Sequence, residues 1–166
     1  IQRDIPVTEI SAGIHKSNIR QLVADYMRDN GMECRCIRCR EVGHKGTVLR
    51  DPSKVVLKDT VYDSCGGTEH FIALEYEDAV VGYIRGRLDS NPEATIRELK
   101  VFGKVASIGD EGEDWQHRGF GRELVGEAER VAREAGRTRI RVTSGVGVRG
   151  YYRSLGFDYD LPYMAK

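Results

Sequence analysis

The chain has 166 residues, of which 40% are hydrophobic and 31% are charged, a composition that is typical of a globular domain and excludes a disordered chain. Lys plus Arg and Asp plus Glu number 26 each, so the net charge indicates no class of partner. No apolar run approaches the roughly 20 residues that a membrane span needs, and no signal peptide opens the chain. We therefore expect a cytoplasmic protein without a membrane partner. Because the chain begins at Ile1, we expect it to be part of a longer protein.

The sequence is predicted to divide into a linker over residues 1–45 and a larger domain over residues 46–166. Ser17–Asn30 carries apolar residues at helical spacing, which predicts an amphipathic helix in the linker. Asn18 is the candidate N-cap, Gln21 stands at the capping-box position, and Gly31 is the predicted stop.

A cysteine cluster follows this helix as a predicted loop. Cys34, Cys36 and Cys39 lie within six residues, too close together to pair comfortably. Without a secretory signal, a metal is favoured over a disulfide framework, and three thiolates in one loop can hold a structural zinc ion. His44 is the predicted fourth ligand, with alternatives in Cys65, His70 or a ligand from outside. Free structural cysteines remain the other interpretation, and the spacing disfavours an iron–sulfur cluster.

Basic residues are concentrated around the same loop, where residues 35–50 contain a single acidic residue, Glu41. We call them the basic stripe: Arg35, Arg38, Arg40, Lys45 and Arg50. Such a cluster is suited to the phosphates of a nucleic acid. The alternative is an ordinary solvated surface.

The larger domain begins with β-prone runs at Val55–Asp63, Phe71–Glu75 and Ala79–Leu88, which predict an antiparallel meander. A fourth strand is predicted at Thr95–Phe102. After a long helix, the remaining predicted elements are a strand at Arg139–Thr143, a short helix at Val148–Leu155 and a last strand at Phe157–Tyr163. This order predicts an α+β, three-layer fold with a mixed, mainly antiparallel sheet.

A glycine-rich turn precedes the long helix, and its residues are Gln116, His117, Arg118, Gly119, Phe120, Gly121 and Arg122. Two glycines in this arrangement let the backbone approach a ligand, and the free amides of a helix start favour pyrophosphate. No Gly-Lys-Ser/Thr occurs, which excludes a Walker loop, and a dinucleotide fold is disfavoured because the third glycine is missing. A simple tight turn is the alternative.

Together with Tyr151–Phe157, this turn resembles the acetyl-CoA site of the GNAT acetyltransferase superfamily. The resemblance implies that the turn binds the pyrophosphate of acetyl-CoA. It also implies that the fourth strand splays from the fifth and that its backbone pairs with the pantetheine arm. The residues concerned are Glu98, Leu99, Lys100 and Val101.

The resemblance further implies that a tyrosine protonates the departing CoA thiolate or contacts the cofactor. Tyr151 and Tyr152 are the candidates, and because they are adjacent they point in different directions. Tyr152 is predicted to be the one at the cofactor. Helical tyrosines are otherwise often core residues with a satisfied hydroxyl.

Longer motifs resemble a narrower family, the catalytic subunit of Elongator, over essentially the whole chain. They are Met32–Gly43, Asp63–Ile72, Ile96–Gly103, Gln116–Gly121, Thr143–Arg153 and Leu161–Met164. The resemblance implies an acetyltransferase domain that follows a zinc-bearing linker and an N-terminal radical domain, in which S-adenosylmethionine and a 4Fe-4S cluster reside. It implies modification of the wobble uridine of tRNA, with acetyl-CoA supplying the carbon unit that becomes a carboxymethyl group on carbon 5. The implied partners are tRNA, the radical domain, and other Elongator subunits or a second copy of the chain.

The chain departs from that family at Lys100, where histidine is common. No general base for an amine substrate is obvious, and Glu98 and Glu75 are the remaining candidates. This pattern favours a domain that presents or hydrolyses acetyl-CoA, and without the radical domain we expect no complete reaction. The alternatives are a conventional lysine or small-amine N-acetyltransferase and a catalytically silent module that binds acyl-CoA and tRNA.

Overall fold

The structure, a computed structural model, describes residue 13 and residues 18–89, 92–103 and 119–166. Contacts divide the chain into two units, Ile1–Cys36 and Ile37–Lys166. The functional division at residue 45 stays a prediction. No helix in the described ranges is long and apolar enough to cross a membrane.

The first unit contains helix α1, Ile19–Asp29. The predicted stop at Gly31 is left-handed, with φ of 67°. The capping prediction is wrong, because the Asn18 side chain forms no cap. Gln21 Nε2 instead donates to Asp25 Oδ1 at 2.9 Å along the helix surface.

The second unit is built on a seven-stranded sheet with the order β1-β2-β3-β4-β5-β7-β6. The strands are β1 Val56–Ser64, β2 Gly67–Tyr76, β3 Ala79–Leu88, β4 Glu93–Val101, β5 Arg139–Val142, β6 Asp158–Asp160 and β7 Tyr163–Ala165. Only the β4–β5 pair is parallel among the described pairs, so the predicted mixed and mainly antiparallel sheet is confirmed. The predicted single last strand is wrong, since a turn at Leu161–Pro162 separates β6 from β7.

Within the described ranges four helices accompany the sheet: α2 Ile37–Arg40, α3 Val42–Lys45, α4 Phe120–Glu134 and α5 Arg149–Ser154. Short 3-10 turns lie at Pro52–Lys54 and Val146–Val148. The cysteine segment, predicted as a loop, thus contains part of α2.

Helix α4 covers one face of the sheet because its apolar residues repeat at helical spacing. Leu124, Val125 and Ala128 are buried there with Ile72 and Ile84 of the central strands. Gly82 on β3 lies under this helix, and a Cβ at that position would meet the backbone of β4, 3.0 Å from Lys100 O. The second face carries a separate buried cluster in which Val42 of α3 packs with Tyr83 and Phe102. The sheet therefore lies between helices on its two faces, which gives the three layers that the sequence predicted.

Candidate active site

Strand β4 changes its pairing halfway along its length. Ala94–Ile96 pairs with β3 on one side and with β5 on the other. The last hydrogen bond on the β5 side is donated by Thr143 N to Ile96 O at 3.1 Å. From Glu98 to Val101 the strand pairs with β3 alone among the described residues. Within that part of the chain, one edge of this half-strand is therefore open.

A bulge marks the point where β4 separates from β5. Gly86 pairs with Ile96 and Arg85 pairs with Glu98, which leaves Arg97 as the extra residue. Bulges bend a strand and increase its twist. The extra residue thus turns the second half of β4 away from β5.

The open edge has a defined set of backbone groups. Phe102 N donates to Val81 O of β3 at 2.8 Å, and the register pairs Lys100 with Tyr83. Because backbone groups alternate along an antiparallel strand, the N–H and C=O of Leu99 and Val101 point away from β3. These are two of the four backbone positions that the sequence predicted.

Helix α4 begins beside this open edge. Its N-cap is Gly119, whose φ of 84° lies in the left-handed region that glycine adopts without strain. Glu123 N donates to Gly119 O at 3.0 Å, so the first amides of α4, from Phe120 to Arg122, precede the first intrahelical bond. Free amides and the helix dipole both favour an anion there. Gln116, His117 and Arg118 lie outside the described residues.

Gly121 is the point where β4, α4 and α5 come together. A Cβ at this position would lie 2.6 Å from Tyr151 Oη and 3.8 Å from Val101 Cγ2. A side chain at this position would therefore displace the tyrosine hydroxyl from the end of β4. The described residues fit a thioester cofactor that runs along β4 and reaches the start of α4.

The two tyrosines of α5 have different surroundings. Tyr152 is 5% exposed and packs edge-on against Phe157, and burial raises the pKa of its phenol to about 12. Tyr151 is 38% exposed, with its hydroxyl at Gly121. Burial also raises the pKa of Tyr151 above its ordinary value, against a smaller opposing effect of Arg122. At neutral pH Tyr151 is therefore a protonated phenol at the edge of the candidate site, whereas Tyr152 is a core residue.

Glu98 and Glu75, the candidate bases, are both held by partners. Tyr83 Oη donates to Glu98 Oε1 at 2.6 Å, and burial together with this carboxylate raises the pKa of Tyr83 to about 12. Glu75 is 8% exposed and forms ion pairs with Arg40 at 2.7 Å and Lys58 at 2.5 Å. Burial alone would raise the pKa of Glu75, but its two cations lower it. Glu75 is thus a structural carboxylate.

A shallow groove of about 220 Å³ continues from the start of α4. Arg122, Gly126 and Glu129 line it from α4, and Ser154 lines it from α5. The groove places a cation and hydrogen-bonding groups next to the open helix start.

The cysteine prediction agrees with the local geometry of the loop. The sulfur atoms of Cys34, Cys36 and Cys39 all lie within 4.8 Å of one another, so the three cysteines could hold a metal ion. Tetrahedral zinc with bonds of about 2.3 Å separates its sulfur ligands by about 3.8 Å. His44 lies on α3 and does not belong to this group among the described residues. His70 Nδ1 lies 2.7 Å from Asp59 Oδ2, which gives that alternative ligand another partner.

Two members of the basic stripe, Arg40 and Lys45, contact Asp78. Arg40 Nε donates to Asp78 O at 3.0 Å in addition to the Glu75 ion pair, and Lys45 Nζ lies 2.8 Å from Asp78 Oδ2. Arg35, Arg38 and Arg50 are exposed. The sequence could not reveal the Arg40–Glu75 pair, because its partners stand 35 positions apart and no local pattern joins them.

Comparison with known proteins agrees with this geometry. Residues 37–157 match the model of the acetyltransferase (GNAT) family. The chain belongs to the GNAT acetyltransferase family.

Relatives that are similar over the whole chain confirm the resemblance to the catalytic subunit of Elongator. The chain is 44% identical over 182 residues to the tRNA uridine(34) acetyltransferase of Methanocaldococcus infernus, covering 100% of this chain and 34% of the relative. It is 40% identical over 181 residues to Elongator complex protein 3 of Schizosaccharomyces pombe, covering 100% of this chain and 33% of that protein. The chain thus spans about a third of the length of these curated relatives.

A solved structure is similar over the same extent. The archaeal Methanocaldococcus infernus Elp3 with an N-terminal deletion matches with a TM-score of 0.81 and 43% identity, over 100% of this chain and 43% of the other.

Proposed function

We propose that this chain is the acetyl-CoA-binding acetyltransferase part of an enzyme that carboxymethylates carbon 5 of the wobble uridine in tRNA. The observation that carries the proposal is the meeting of the open half of β4, the start of α4 and the Tyr151 hydroxyl around Gly121. The relatives named as tRNA uridine(34) acetyltransferases support the choice of tRNA as the acceptor.

In this proposal the backbone groups of Leu99 and Val101 bind the pantetheine arm as a further strand would. The amides from Gly119 to Arg122 bind the pyrophosphate, and the groove between α4 and α5 accommodates the nucleotide end. Acetyl-CoA supplies the acetyl carbon unit, and Tyr151 holds a proton that can pass to the thiolate released from it. This assigns to Tyr151 the role that the sequence predicted for Tyr152.

Thiol release from acetyl-CoA tests the assignment of the tyrosine. We expect Tyr151→Phe to reduce release by about tenfold or more, with little change in the dissociation constant of acetyl-CoA. The matched variant Tyr152→Phe should release thiol at a rate close to that of the wild type. Equal rates for Tyr151→Phe and the wild type would remove Tyr151 from the mechanism.

The same assay separates the alternatives. Calorimetric titration with acetyl-CoA, with and without tRNA, should reveal binding, and thiol release should depend on tRNA rather than on a lysine peptide. Transfer to the peptide would identify a conventional N-acetyltransferase. Binding without release under either condition would identify a silent module.

Exposed residues of the basic stripe are proposed to contact tRNA phosphates. Exchanging Arg38 and Arg50 for Glu should lower tRNA affinity and reduce the slope of log affinity against log salt by about 1.5. Arg40 is left unchanged in this variant, because its replacement would remove one of the two cations that pair with the buried Glu75 carboxylate. An unchanged affinity and salt slope would show that the stripe is a solvated surface.

The three cysteines are proposed to hold one structural zinc ion in the intact protein, with the fourth ligand from His44 or from outside the loop. Elemental analysis should give about one equivalent of zinc, which the Cys36→Ser variant loses. Cys65 lies outside this group, so Cys65→Ser tests it as the alternative fourth ligand: an unchanged zinc content removes Cys65 from the ligand set. Equal zinc content in Cys36→Ser and wild type would contradict the assignment.

A further inference from the structure

Tyr159 on β6 presents an exposed aromatic ring beside two arginines of α5. The residue is 55% exposed, and the guanidinium carbons of Arg149 and Arg153 lie 5.8 and 5.6 Å from its ring centroid. The two arginines stand four positions apart on α5, so they share one side of that helix. We call these three residues the Tyr159 platform.

Among the described residues, no ion pair joins Arg149 or Arg153 to a carboxylate, and α5 carries no acidic residue. Arg141, which lies 5.7 Å from the ring of Tyr163, differs because Glu93 and Asp160 pair with it. In the part of the chain that the structure describes, the Tyr159 platform thus combines an accessible ring with two guanidiniums that form no ion pair with a carboxylate.

The two arginines have different roles. Arg149 Nη2 donates to Pro162 O at 3.0 Å, which ties α5 to the turn between β6 and β7 and fixes one guanidinium beside the ring. Arg153 is exposed and its head group is available to an anion.

An exposed ring with an adjacent cation matches the chemistry of an unpaired nucleotide. RNA loops are recognised by stacking of splayed bases on aromatic rings and guanidinium planes, with basic groups on the backbone phosphates. A duplex cannot offer a base face in this way. A folded acidic protein would use the charge but would not require the flat ring.

We propose that the Tyr159 platform binds an unpaired nucleotide of the RNA substrate, with a base stacked on Tyr159 and a phosphate at Arg153. This rests on the proposed function, because tRNA is the acceptor there, and it adds a surface that the basic stripe does not include. Arg149 acts as a positioning residue, since it holds the turn and the edge of the ring in place.

Fluorescence anisotropy with labelled oligouridine, a blunt RNA duplex of the same length and whole tRNA tests this proposal. Tyr159→Ala should weaken oligouridine and tRNA binding by about tenfold and leave duplex binding unchanged. Tyr159→Phe retains the ring and should bind within about twofold of the wild type. Tyr62→Ala, which removes an exposed tyrosine of β1, is the matched control.

The salt dependence of oligouridine binding tests the phosphate contact of Arg153 separately from base stacking. Arg153→Gln should reduce the salt slope for oligouridine by about 0.7, as expected for one phosphate on a single strand. Arg133→Gln, an exposed arginine near the end of α4, should leave the slope unchanged. The dissociation constant of acetyl-CoA should stay the same in all these variants, which reports that they are folded.

The outcomes distinguish this proposal from the proposed function. If the wild type binds tRNA and oligouridine and Tyr159→Ala binds both as tightly as the wild type does, the proposed nucleotide site at Tyr159 is overturned. The proposal that tRNA is the acceptor is then unaffected. If Tyr159→Ala weakens duplex and oligouridine equally, stacking is overturned. If the wild type binds no RNA at all, the tRNA partner itself is overturned, and the platform with it.

Discussion

The two halves of β4 belong to one strand but make different use of their backbone. Ala94–Ile96 is paired on both sides, and its alternate residues Ala94 and Ile96 are 3% and 1% exposed. Glu98–Val101 is paired with β3 only among the described residues, and no side chain from Arg97 to Val101 is fully buried. The first half stabilises the sheet, whereas the second leaves backbone donors and acceptors available to a ligand.

The cause of this difference lies at the bulge. Arg97, the extra residue, places Nη1 2.6 Å from Glu69 Oε1, and Arg87 lies 3.0 Å from the same oxygen. The Glu69 side chain is 2% exposed, so its charge is stabilised by these two guanidiniums rather than by water. At the point where β4 leaves β5, the bulge residue thus forms an ion pair with a buried carboxylate.

The largest expected effect comes from filling the space beside the open half. Gly121→Glu would place a side chain against Tyr151 Oη and Val101 and a negative charge where an anion is expected. We expect acetyl-CoA affinity, measured by calorimetry, to fall about 100-fold or more, the combined effect of lost amide contacts and charge repulsion.

Ala135→Glu is the control for Gly121→Glu, because it adds the same charge at the opposite end of α4. Circular dichroism should show that both variants are folded. A folded Gly121→Glu protein with wild-type affinity would show that the cofactor does not pass between β4 and α4.

A smaller effect is expected from loosening the bulge. Glu69→Gln removes the charge that holds Arg97 and Arg87, and we expect the free energy of unfolding to fall by about 2 kcal/mol. Acetyl-CoA affinity should fall about tenfold, because the two halves of β4 are then less sharply separated. Glu134→Gln, which breaks an exposed ion pair with Arg130, should change neither value appreciably. If the folded Glu69→Gln protein binds acetyl-CoA as tightly as the wild type, the ion pairs of Glu69 do not influence the candidate site.

The stabilisation by Glu69 should depend on pH. Burial alone would raise the pKa of Glu69, but the hydrogen bonds from Arg87 and Arg97 outweigh it and the pKa is lowered. A carboxyl whose folded pKa is lowered stabilises the fold above its unfolded pKa and loses this effect as pH falls through the folded value. Denaturant unfolding should therefore show the largest difference between wild type and Glu69→Gln at neutral pH and convergence in acid. A constant difference would contradict the ion-pair explanation.

The smallest effect concerns a single donor on the open edge. Val101→Pro removes an N–H that points away from β3, so we expect a loss of about fivefold in acetyl-CoA affinity with the sheet intact. Lys100→Pro removes an N–H that faces β3 and should instead lower the melting temperature. If Val101→Pro binds as tightly as the wild type, the Val101 amide is not a contact.

Much of the fold follows from local patterns in the sequence. The Ala79–Leu88 strand was predicted with its observed bounds, and the apolar stripe of α4 was predicted because its spacing repeats over four turns. The four residues of α2 are too few for such a repeat, and the cysteines there suggested a loop. The turn at Leu161–Pro162 was missed because the apolar and aromatic residues on both sides continue a strand pattern.

The site was less accessible to sequence reasoning than the fold. The Gly-x-Gly turn identified the start of α4, but the bulge at Arg97 depends on pairing between three strands. Because Tyr151 and Tyr152 are adjacent, the sequence indicated that their side chains point in different directions. It could not indicate which of them faces Gly121, because that depends on how α5 packs on α4 and β4. The ion pairs of Glu69 and Glu75 join residues distant in the chain, which no local motif reports.

Backbone amide exchange measured by NMR, with and without saturating acetyl-CoA, tests the central claim most directly. We predict that the cofactor slows exchange at Leu99, Val101 and Gly121, because their amides become bonded or covered. Ala94 and Ile96, already in the doubly paired half of β4, should change little. Saturated binding with unchanged exchange at Leu99 and Val101 would contradict the account, because the cofactor would then lie away from the open half of β4.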